Sequence, residues 1–183
     1  TQAILVQKEA EAERSRQTLN EDMRKTTLKL SFNLAILPQD QQLKDFYAED
    51  FAVKTMPEEY AARLARSGMI TVQHILPVLQ KKIRWPEIQR TIILVGTLGE
   101  IPMAAEGPLK PLLQPVPPGS IVLGHELHRS LNLATGTTVR LLGRTFRVHK
   151  CQEERGNQDD ITAWIHLREA QELLKKPALI NAI

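Results

Sequence analysis

The clearest alternation of apolar and polar positions lies in the last third of the chain. Ser120 to Leu123 is a short apolar run that Gly124 ends, which predicts a strand followed by a tight turn. Leucines at helix-compatible spacing follow between Glu126 and Leu133. The chain therefore predicts a strand, a turn and a short helix in direct succession.

A hairpin is predicted immediately afterwards, from Thr138 to Val148. Apolar and polar residues alternate on both sides of Gly143-Arg144, a glycine-first pair of the kind that favours a two-residue turn. The residues that follow predict a polar loop, another strand and a helix, which we assign to residues 157–160, 161–165 and 167–175.

A long helix is predicted near the beginning of the chain, from Gln7 to Thr27. No glycine or proline interrupts this stretch, and its strong helix formers would make about five to six turns. Leu5, Ala12 and Leu19 recur every seven residues, but charged residues occupy the seam positions between them. A helix with so polar a surface crosses solvent or bridges two bodies. The alternative is a solvated helix that packs weakly on its own domain.

The middle of the chain predicts several strands and one helix. Three apolar runs predict strands, at residues 28–37, 70–79 and 91–95. Pro77 places the second of these at a sheet edge or a bulge. The capping-box spacing of Thr55–Glu58 predicts a helix from about Met56 to Arg66. Residues 96–119 are rich in proline and glycine and predict an ordered meander or a linker.

A polar loop expected at residues 39–54 carries three aromatic side chains, Phe46, Tyr47 and Phe51. The whole chain has two tryptophans, two tyrosines and four phenylalanines, so this loop holds a large share of its aromatic surface. The rings either pin the loop to the core or present a contact surface. Phe46, Tyr47 and Phe51 are therefore the candidate residues for contact with a partner.

Composition narrows the class of protein. A chain of 183 residues that is 42% hydrophobic can bury a sizeable core without metals or disulfides. Its 24 Lys and Arg and 21 Asp and Glu are mixed along the chain and give a formal charge of only +3, so no nucleic-acid partner is expected. No apolar run within these residues approaches the roughly 18–20 residues of a membrane-spanning helix.

Two motifs resemble ligand sites, and each has a plainer interpretation. Gly119 to Gly124 has the spacing of a phosphate-binding loop, but it lacks the lysine and the hydroxyl that hold phosphate and magnesium. His125 and His128 lie three residues apart on one predicted helix, and no third metal ligand is evident from the sequence. We interpret them as surface histidines.

Two further pairs could serve catalysis. Cys151 and His149 would share a strand face, but no orienting third group is evident, so Cys151 is interpreted as a strand-end core residue. Asp159 and Asp160 would point to opposite faces of a strand, which favours a turn or a cap over an acid/base pair. We therefore expect no catalytic residue, no cofactor and no metal site; a hydrolase with an unrecognised site is the enzymatic alternative.

Taken in order, three pieces of the chain resemble the extracytoplasmic core domain of MacB/FtsX-type ABC transporter permeases. The first is the strand, Gly-x-Glu-Leu and short helix from Ile121 to Gly136. The second is the glycine-turned hairpin from Thr138 to Val148, which ends in Phe-x-Val. The third is the Asp-Asp, strand and helix from Asp159 to Leu174, followed by Ile180–Ile183.

The resemblance implies an α+β fold, namely a MacB-like periplasmic core domain with a βαβ porter-like lobe, a small second α/β lobe and a long N-terminal stalk helix. Residues 1–27 would be the stalk, continuing a transmembrane segment that ends near Val6. Residues 28–183 would be the periplasmic core domain, with the second small lobe at about residues 86–145. Another membrane span would follow Ile183.

The resemblance also implies a function without catalysis. The domain would lie on the periplasmic side of the inner membrane and relay cytoplasmic ATP hydrolysis to export or mechanotransmission, with the ATPase on a separate ABC subunit or domain. Its partners would be a second permease copy, the ABC ATPase subunit and another envelope protein. The alternative function is an envelope protein-binding or adaptor module of the same fold, which engages a partner or a lipid-linked substrate.

Overall fold

The computed structural model describes residues 34–67, 72, 74–101 and 113–183. The chain divides into two units, Thr1–Leu34 and Ala35–Ile183, and the elements described below belong to the second. The helix predicted at residues 7–27 and most of the strand predicted at residues 28–37 lie outside the described residues. Both therefore stay predictions.

The described residues form an α+β fold, as the sequence predicts, with four α-helices and eight strands. The helices are α1 (Leu43–Glu49), α2 (Glu59–Ala65), α3 (His125–Ser130) and α4 (Leu167–Leu173). The strands are β1 (Met56–Pro57), β2 (Val78–Trp85), β3 (Arg90–Thr97), β4 (Ser120–Leu123), β5 (Thr138–Leu141), β6 (Arg144–Cys151), β7 (Thr162–His166) and β8 (Leu179–Ile180). A 3-10 helix spans Gln158–Ile161.

Six of these strands form one mixed sheet in the order β2-β3-β7-β4-β6-β5. The pairs β3–β7 and β4–β6 are parallel, and the other neighbours are antiparallel. Strand β3 is buried from Ile92 to Thr97, which reflects its place inside the sheet. Strands β3, β4 and β5, which fall within the predicted second lobe at about residues 86–145, belong to this same sheet.

The two edge strands of the sheet meet at one end. Trp85, at the end of β2, is fully buried and donates its indole N–H to the carbonyl of Arg140 in β5 over 2.8 Å. Glu87, in the turn after β2, accepts hydrogen bonds from the backbone N–H groups of Leu142 and Gly143 at 3.3 and 2.7 Å. The sheet therefore curls towards a barrel at this end.

The predicted hairpin is confirmed, but its turn lies one residue earlier than expected. Leu141 pairs with Arg144, so the two turn residues are Leu142 and Gly143 rather than Gly143-Arg144. Both have positive φ, 50° and 82°, as a type I′ turn requires. The prediction failed because a leucine in the left-handed region is uncommon and gives no signal in the sequence.

Two predictions in the first half of the chain are wrong. The polar loop predicted at residues 39–54 contains helix α1, which buries none of its residues. Its one helical signal, the i, i+3, i+4 spacing of Leu43, Phe46 and Tyr47, is too short to stand out from the polar residues around it. For the strand predicted at residues 70–79, the described residues show only an isolated bridge between Ile75 and Ile101 before β2 starts at Val78. Strand β2 then continues well beyond the predicted end, to Trp85.

The C-terminal segment joins three distant parts of the domain. Ile180 in β8 pairs with Met56 in β1, and Ala182 forms a bridge with Val78 in β2. Between them, the buried side-chain amide of Asn181 donates to the carbonyls of Ala52 and Gln80 and accepts from the N–H of Gln80. The last residues therefore act as cross-links between β1, the segment before it and the edge of the large sheet.

Candidate functional site

The first feature of functional interest is the pairing of the segment around Ile36 with the segment around Ile183. The N–H of Ile36 donates to the carbonyl of Ile183 at 2.9 Å, and the N–H of Ile183 donates to the carbonyl of Ile36 at 3.1 Å. This reciprocal pair places the two segments side by side and antiparallel. Residues 34–37, which end the first predicted strand, are otherwise irregular.

An open apolar groove lies beside this pair. Its volume is about 390 Å³, and it is lined by Ile36, Met56, Tyr60, Arg63, Leu64 and Ile183. These residues come from the two paired segments, from β1 and from helix α2. Because they are widely separated in sequence, only tertiary structure brings them together.

Helix α2 explains why the groove is apolar. The helix turns its small residues Ala61 and Ala65 into the core, where both are buried. Tyr60 and Leu64, four residues apart, share another face and line the groove. Arg63 lies on the same side, with its guanidinium carbon 5.5 Å from the centre of the Tyr60 ring. The spacing of Tyr60 and Leu64 was a sequence signal for this surface, but nothing in the sequence showed what lay opposite.

The three aromatic candidates for partner contact do not form one surface. Phe51 is only 7% exposed and belongs to the core, whereas Tyr47 is 72% exposed. Phe46 is half-buried and packs edge-to-face against Tyr47, with the ring centres 5.8 Å apart. Of the three, therefore, Phe51 pins the segment to the core and Tyr47 is the residue available to a partner.

The histidine pair at the start of α3 is close but has structural partners. The rings of His125 and His128 meet edge-to-face with centres 5.3 Å apart, and Nε2 of His128 lies 3.1 Å from the carbonyl oxygen of Gln152. Across residues 34–67, 72, 74–101 and 113–183, no cluster of three or more His, Cys, Asp or Glu side chains is arranged to hold a metal ion.

The adjacent aspartates lie in the 3-10 helix Gln158–Ile161, which agrees with the turn expected from the sequence. Asp160 is buried, and its carboxylate accepts from the N–H groups of Arg155 and Gly156 at 3.0 and 2.7 Å. Asp159 instead forms an ion pair with the Arg155 guanidinium at 2.8 Å. The N–H of Arg155 lowers the pKa of Asp160, so this carboxylate is held ionised.

Replacing Asp160 by asparagine is expected to remove a pH-dependent part of the stability. The N–H of Arg155 holds the pKa of Asp160 below its ordinary value of 3.8, so the stabilisation is present above that value and lost as pH falls through the lower folded pKa. The variant should melt below the wild type at neutral pH, and the gap should shrink below about pH 4. Circular dichroism melts across this range measure it.

Asp159→Asn is the matched control for this prediction. It removes only a partly exposed ion pair, so its effect at neutral pH should be the smaller of the two. A difference between wild type and Asp160→Asn that stays constant from neutral to acidic pH would contradict the proposed role of the ionised carboxylate.

Cys151 and His149 do not form a thiolate pair. The register between β4 and β6 shifts after Ile121, so that Ile121 pairs with Val148 and Val122 with Lys150, which leaves His149 as the extra residue of a β-bulge. His149 is exposed, while Cys151 is half-buried against the core with its thiol 3.7 Å from the Leu133 carbonyl. The bulge breaks the alternation that would have put both side chains on one face.

Two other carboxylates within the domain are also bonded to neighbouring groups. Glu169 in α4, only 5% exposed, accepts from the N–H of Gly119 at 3.0 Å and pairs with Arg144 at 2.8 Å. Glu100 pairs with His74 at 2.8 Å and accepts from the N–H of Leu113 at 2.9 Å. Each carboxylate joins separate segments of the chain, which is a structural role.

The chain was compared with known proteins. No protein-family model matches it, and no curated protein does. In the described part of the chain, no helix combines the length and the apolar character needed to cross a membrane. The features that bear on function are therefore the paired chain segments, the apolar groove and the exposed face of α1.

Proposed function

We propose that this chain is the periplasmic core domain of a MacB/FtsX-type ABC transporter permease and relays cytoplasmic ATP hydrolysis across the inner membrane. The observation that carries the proposal is the reciprocal pairing of Ile36 with Ile183. In this proposal the segments that flank Ile36 and Ile183 rise from one surface and hold the domain, and the side-by-side pairing of these two residues suits such an attachment. The order of elements from β4 to α4 supports the same proposal, since the resemblance to that family rests on a strand, short helix, hairpin, strand and helix in this order.

A relay needs a body that moves as a unit, and the C-terminal segment favours such movement. The two residues before Ile183, Asn181 and Ala182, form backbone hydrogen bonds with Val78 in β2. These bonds would carry a displacement of the Ile36–Ile183 pair into the large sheet. Asn181 passes it on to the segment before β1 through its bond to Ala52. Hydrogen-bonded strands transmit a displacement better than a flexible linker would.

In this proposal the domain is MacB-like, with a porter-like lobe, and it performs no catalysis itself. Two copies face each other in the homodimer of the full-length permease, and the ATPase is a separate ABC subunit or domain. The helix predicted at residues 7–27 is the stalk, because a long helix with satisfied backbone bonds is stiff along its axis.

Replacing Arg14 by proline in the full-length permease is expected to abolish transport while the domain still folds. Proline inside a helix removes a backbone hydrogen bond and kinks the helix, at a cost of about 3 kcal/mol or more, so a stalk could no longer transmit movement. The measurement is rescue of a deletion strain's transport phenotype. Arg14→Ala, which favours the helix, is the control and should rescue; normal transport by Arg14→Pro would mean that no stalk operates here.

The same strain tests the location of the domain. A protease-sensitive tag is inserted between Glu153 and Glu154, which are both exposed. We expect the tagged protein in the membrane fraction, with the tag cleaved by protease added to intact spheroplasts. Cleavage only after lysis would overturn the proposal, and a soluble extracytoplasmic protein would favour the second candidate function.

That second candidate is an envelope protein-binding module of the same fold. It is favoured by helix α1, in which Leu43 is 61% and Tyr47 is 72% exposed, while no residue of the helix is buried. Residues four apart lie on the same face of a helix, so the two side chains form a small apolar surface. Phe51 has no part in it, because it is in the core.

A further inference from the structure

The apolar groove beside the Ile36–Ile183 pair has the size and lining of a ligand site. Its volume of about 390 Å³ falls within the range of roughly 300–1,000 Å³ that is usual for small-molecule sites. Five of its six lining side chains are aliphatic, thioether or aromatic. Ile36 and Tyr60 are 37% and 42% exposed, so this apolar surface is in contact with water. An apolar occupant would remove it from water, which is favourable.

The backbone around the groove offers little to a peptide. Ile36 and Ile183 already exchange both of their hydrogen bonds with each other. Strand β1 is only two residues long, is paired with β8 and includes Pro57, which has no N–H to donate. A bound peptide would bury N–H and C=O groups without partners, which is costly. An acyl chain has no such groups to satisfy.

Arg63 is the one charged side chain in the lining. Its side chain is exposed, stacks near Tyr60 and forms no ion pair with any other residue that the structure describes. A guanidinium binds carboxylate or phosphate oxygens through parallel hydrogen bonds. The groove is therefore complementary to a ligand with an apolar body and an anionic end.

We propose that the groove binds the acyl chain of a single-chain anionic amphiphile, such as a fatty acid, with the carboxylate at Arg63. The apolar side chains of Ile36, Leu64 and Ile183 contact the chain, and Tyr60 covers it from helix α2. This binding goes beyond the proposed relay and does not rest on it, because the groove is built entirely within this domain.

The test is calorimetric titration of the 183-residue chain with dodecanoate below its micelle concentration. We expect saturable binding of one molecule per chain, weakened about tenfold or more in Arg63→Gln, which loses the charge-assisted hydrogen bonds. Arg66→Gln is the matched control, because Arg66 lies on the same helix end but does not line the groove. It should bind as the wild type does.

Two ligand comparisons make the result independent of any effect of the variants on folding. Dodecyltrimethylammonium has the same alkyl length and the opposite charge, so it should bind more weakly than dodecanoate. Octanoate has four fewer methylenes, and since each methylene contributes about fourfold in affinity, it should bind roughly 250-fold more weakly.

Three results would overturn the proposal. The first is the absence of saturable binding by dodecanoate. The second is evidence that charge does not matter: equal affinity of wild type and Arg63→Gln for dodecanoate, or equal affinity of the wild type for dodecanoate and dodecyltrimethylammonium. The third is a concentration-dependent dimer in sedimentation velocity that Tyr60→Ser abolishes, since a second copy of the chain would then occupy the groove.

Discussion

Trp85→Ala is expected to lower the free energy of unfolding by about 3–5 kcal/mol, the largest effect of any substitution proposed for this domain. The indole is fully buried at the end of β2, and its N–H donates to the Arg140 carbonyl at 2.8 Å. Alanine would leave a cavity and remove one of the hydrogen bonds that join the two edges of the sheet. Urea denaturation followed by circular dichroism measures the loss.

Two further variants isolate the cause of that loss. Trp85→Phe keeps most of the ring volume but not the N–H donor, so it should lose less than alanine, and the difference reports the cavity. Trp164→Phe, at a half-buried position in β7, measures the effect of replacing a tryptophan by phenylalanine elsewhere in the same sheet. If Trp85→Ala unfolded at nearly the wild-type urea concentration, the inference that Trp85 stabilises the contact between the two edge strands would be wrong.

Gly124→Ala is the second large effect, at about 3 kcal/mol. Gly124 ends β4 and starts α3 with φ −63°, a conformation that any residue can adopt. The obstacle is steric, because a Cβ placed there would overlap with the carbonyl oxygen of Asp159 and lie 2.6 Å from that of Asp160. Backbone oxygens cannot rotate away as a side chain can, so the loop of Asp160 would have to shift.

Gly119→Ala is the control for Gly124→Ala. Gly119 has a left-handed backbone but open space at its Cβ position, whereas Gly124 has an ordinary backbone but no space there. Gly119 has φ +73°, but no atom lies within 4 Å of the position that a Cβ would take, so alanine there should cost only the left-handed conformation, about 1 kcal/mol. Urea midpoints of the two variants give the comparison. Equal losses would show that conformation, and not the contact with the Asp159–Asp160 carbonyls, decides the effect at Gly124.

The sequence predicted the last third of the fold well because independent signals agreed there. The apolar run of β4, the glycine that ends it and the leucines of α3 all indicated the same boundaries, and the structure confirms these elements. Strand β7 and helix α4 were likewise predicted within two residues at each end. Where periodicity and turn residues agree, local sequence suffices to predict the elements.

The first half was predicted less well, for a physical reason. Strand β2 lies at the edge of the sheet and exposes Lys81, Lys82 and Arg84. These charged residues interrupt the alternation of apolar and polar positions from which a strand is predicted. Helix α1 buries none of its residues, and the spacing of Leu43, Phe46 and Tyr47 is its one short helical signal. Both elements therefore lack most of the apolar periodicity on which the prediction of strands and helices depends.

The candidate site was almost wholly beyond prediction from sequence. The aromatic side chains of Phe46, Tyr47 and Phe51 could be named, but which of them is exposed depends on how α1 meets the rest of the domain. The groove unites Ile36 with Ile183, and no pattern along the chain relates those two residues. The bulge at His149, which separates it from Cys151, is likewise a property of the pairing between β4 and β6.

Folding of this domain during synthesis has to wait for its last residues. Asn181 bonds to Ala52, which lies 129 positions earlier, and Ile183 pairs with the still earlier Ile36. Ribosomes add about 5–20 residues per second, so these early residues wait on the order of ten seconds for their partners. Until then the outer edge of β2 near Val78 lacks its partner Ala182. A nascent chain stalled before Leu179 would therefore present an open strand edge, and chaperone binding or aggregation would compete with folding at that point.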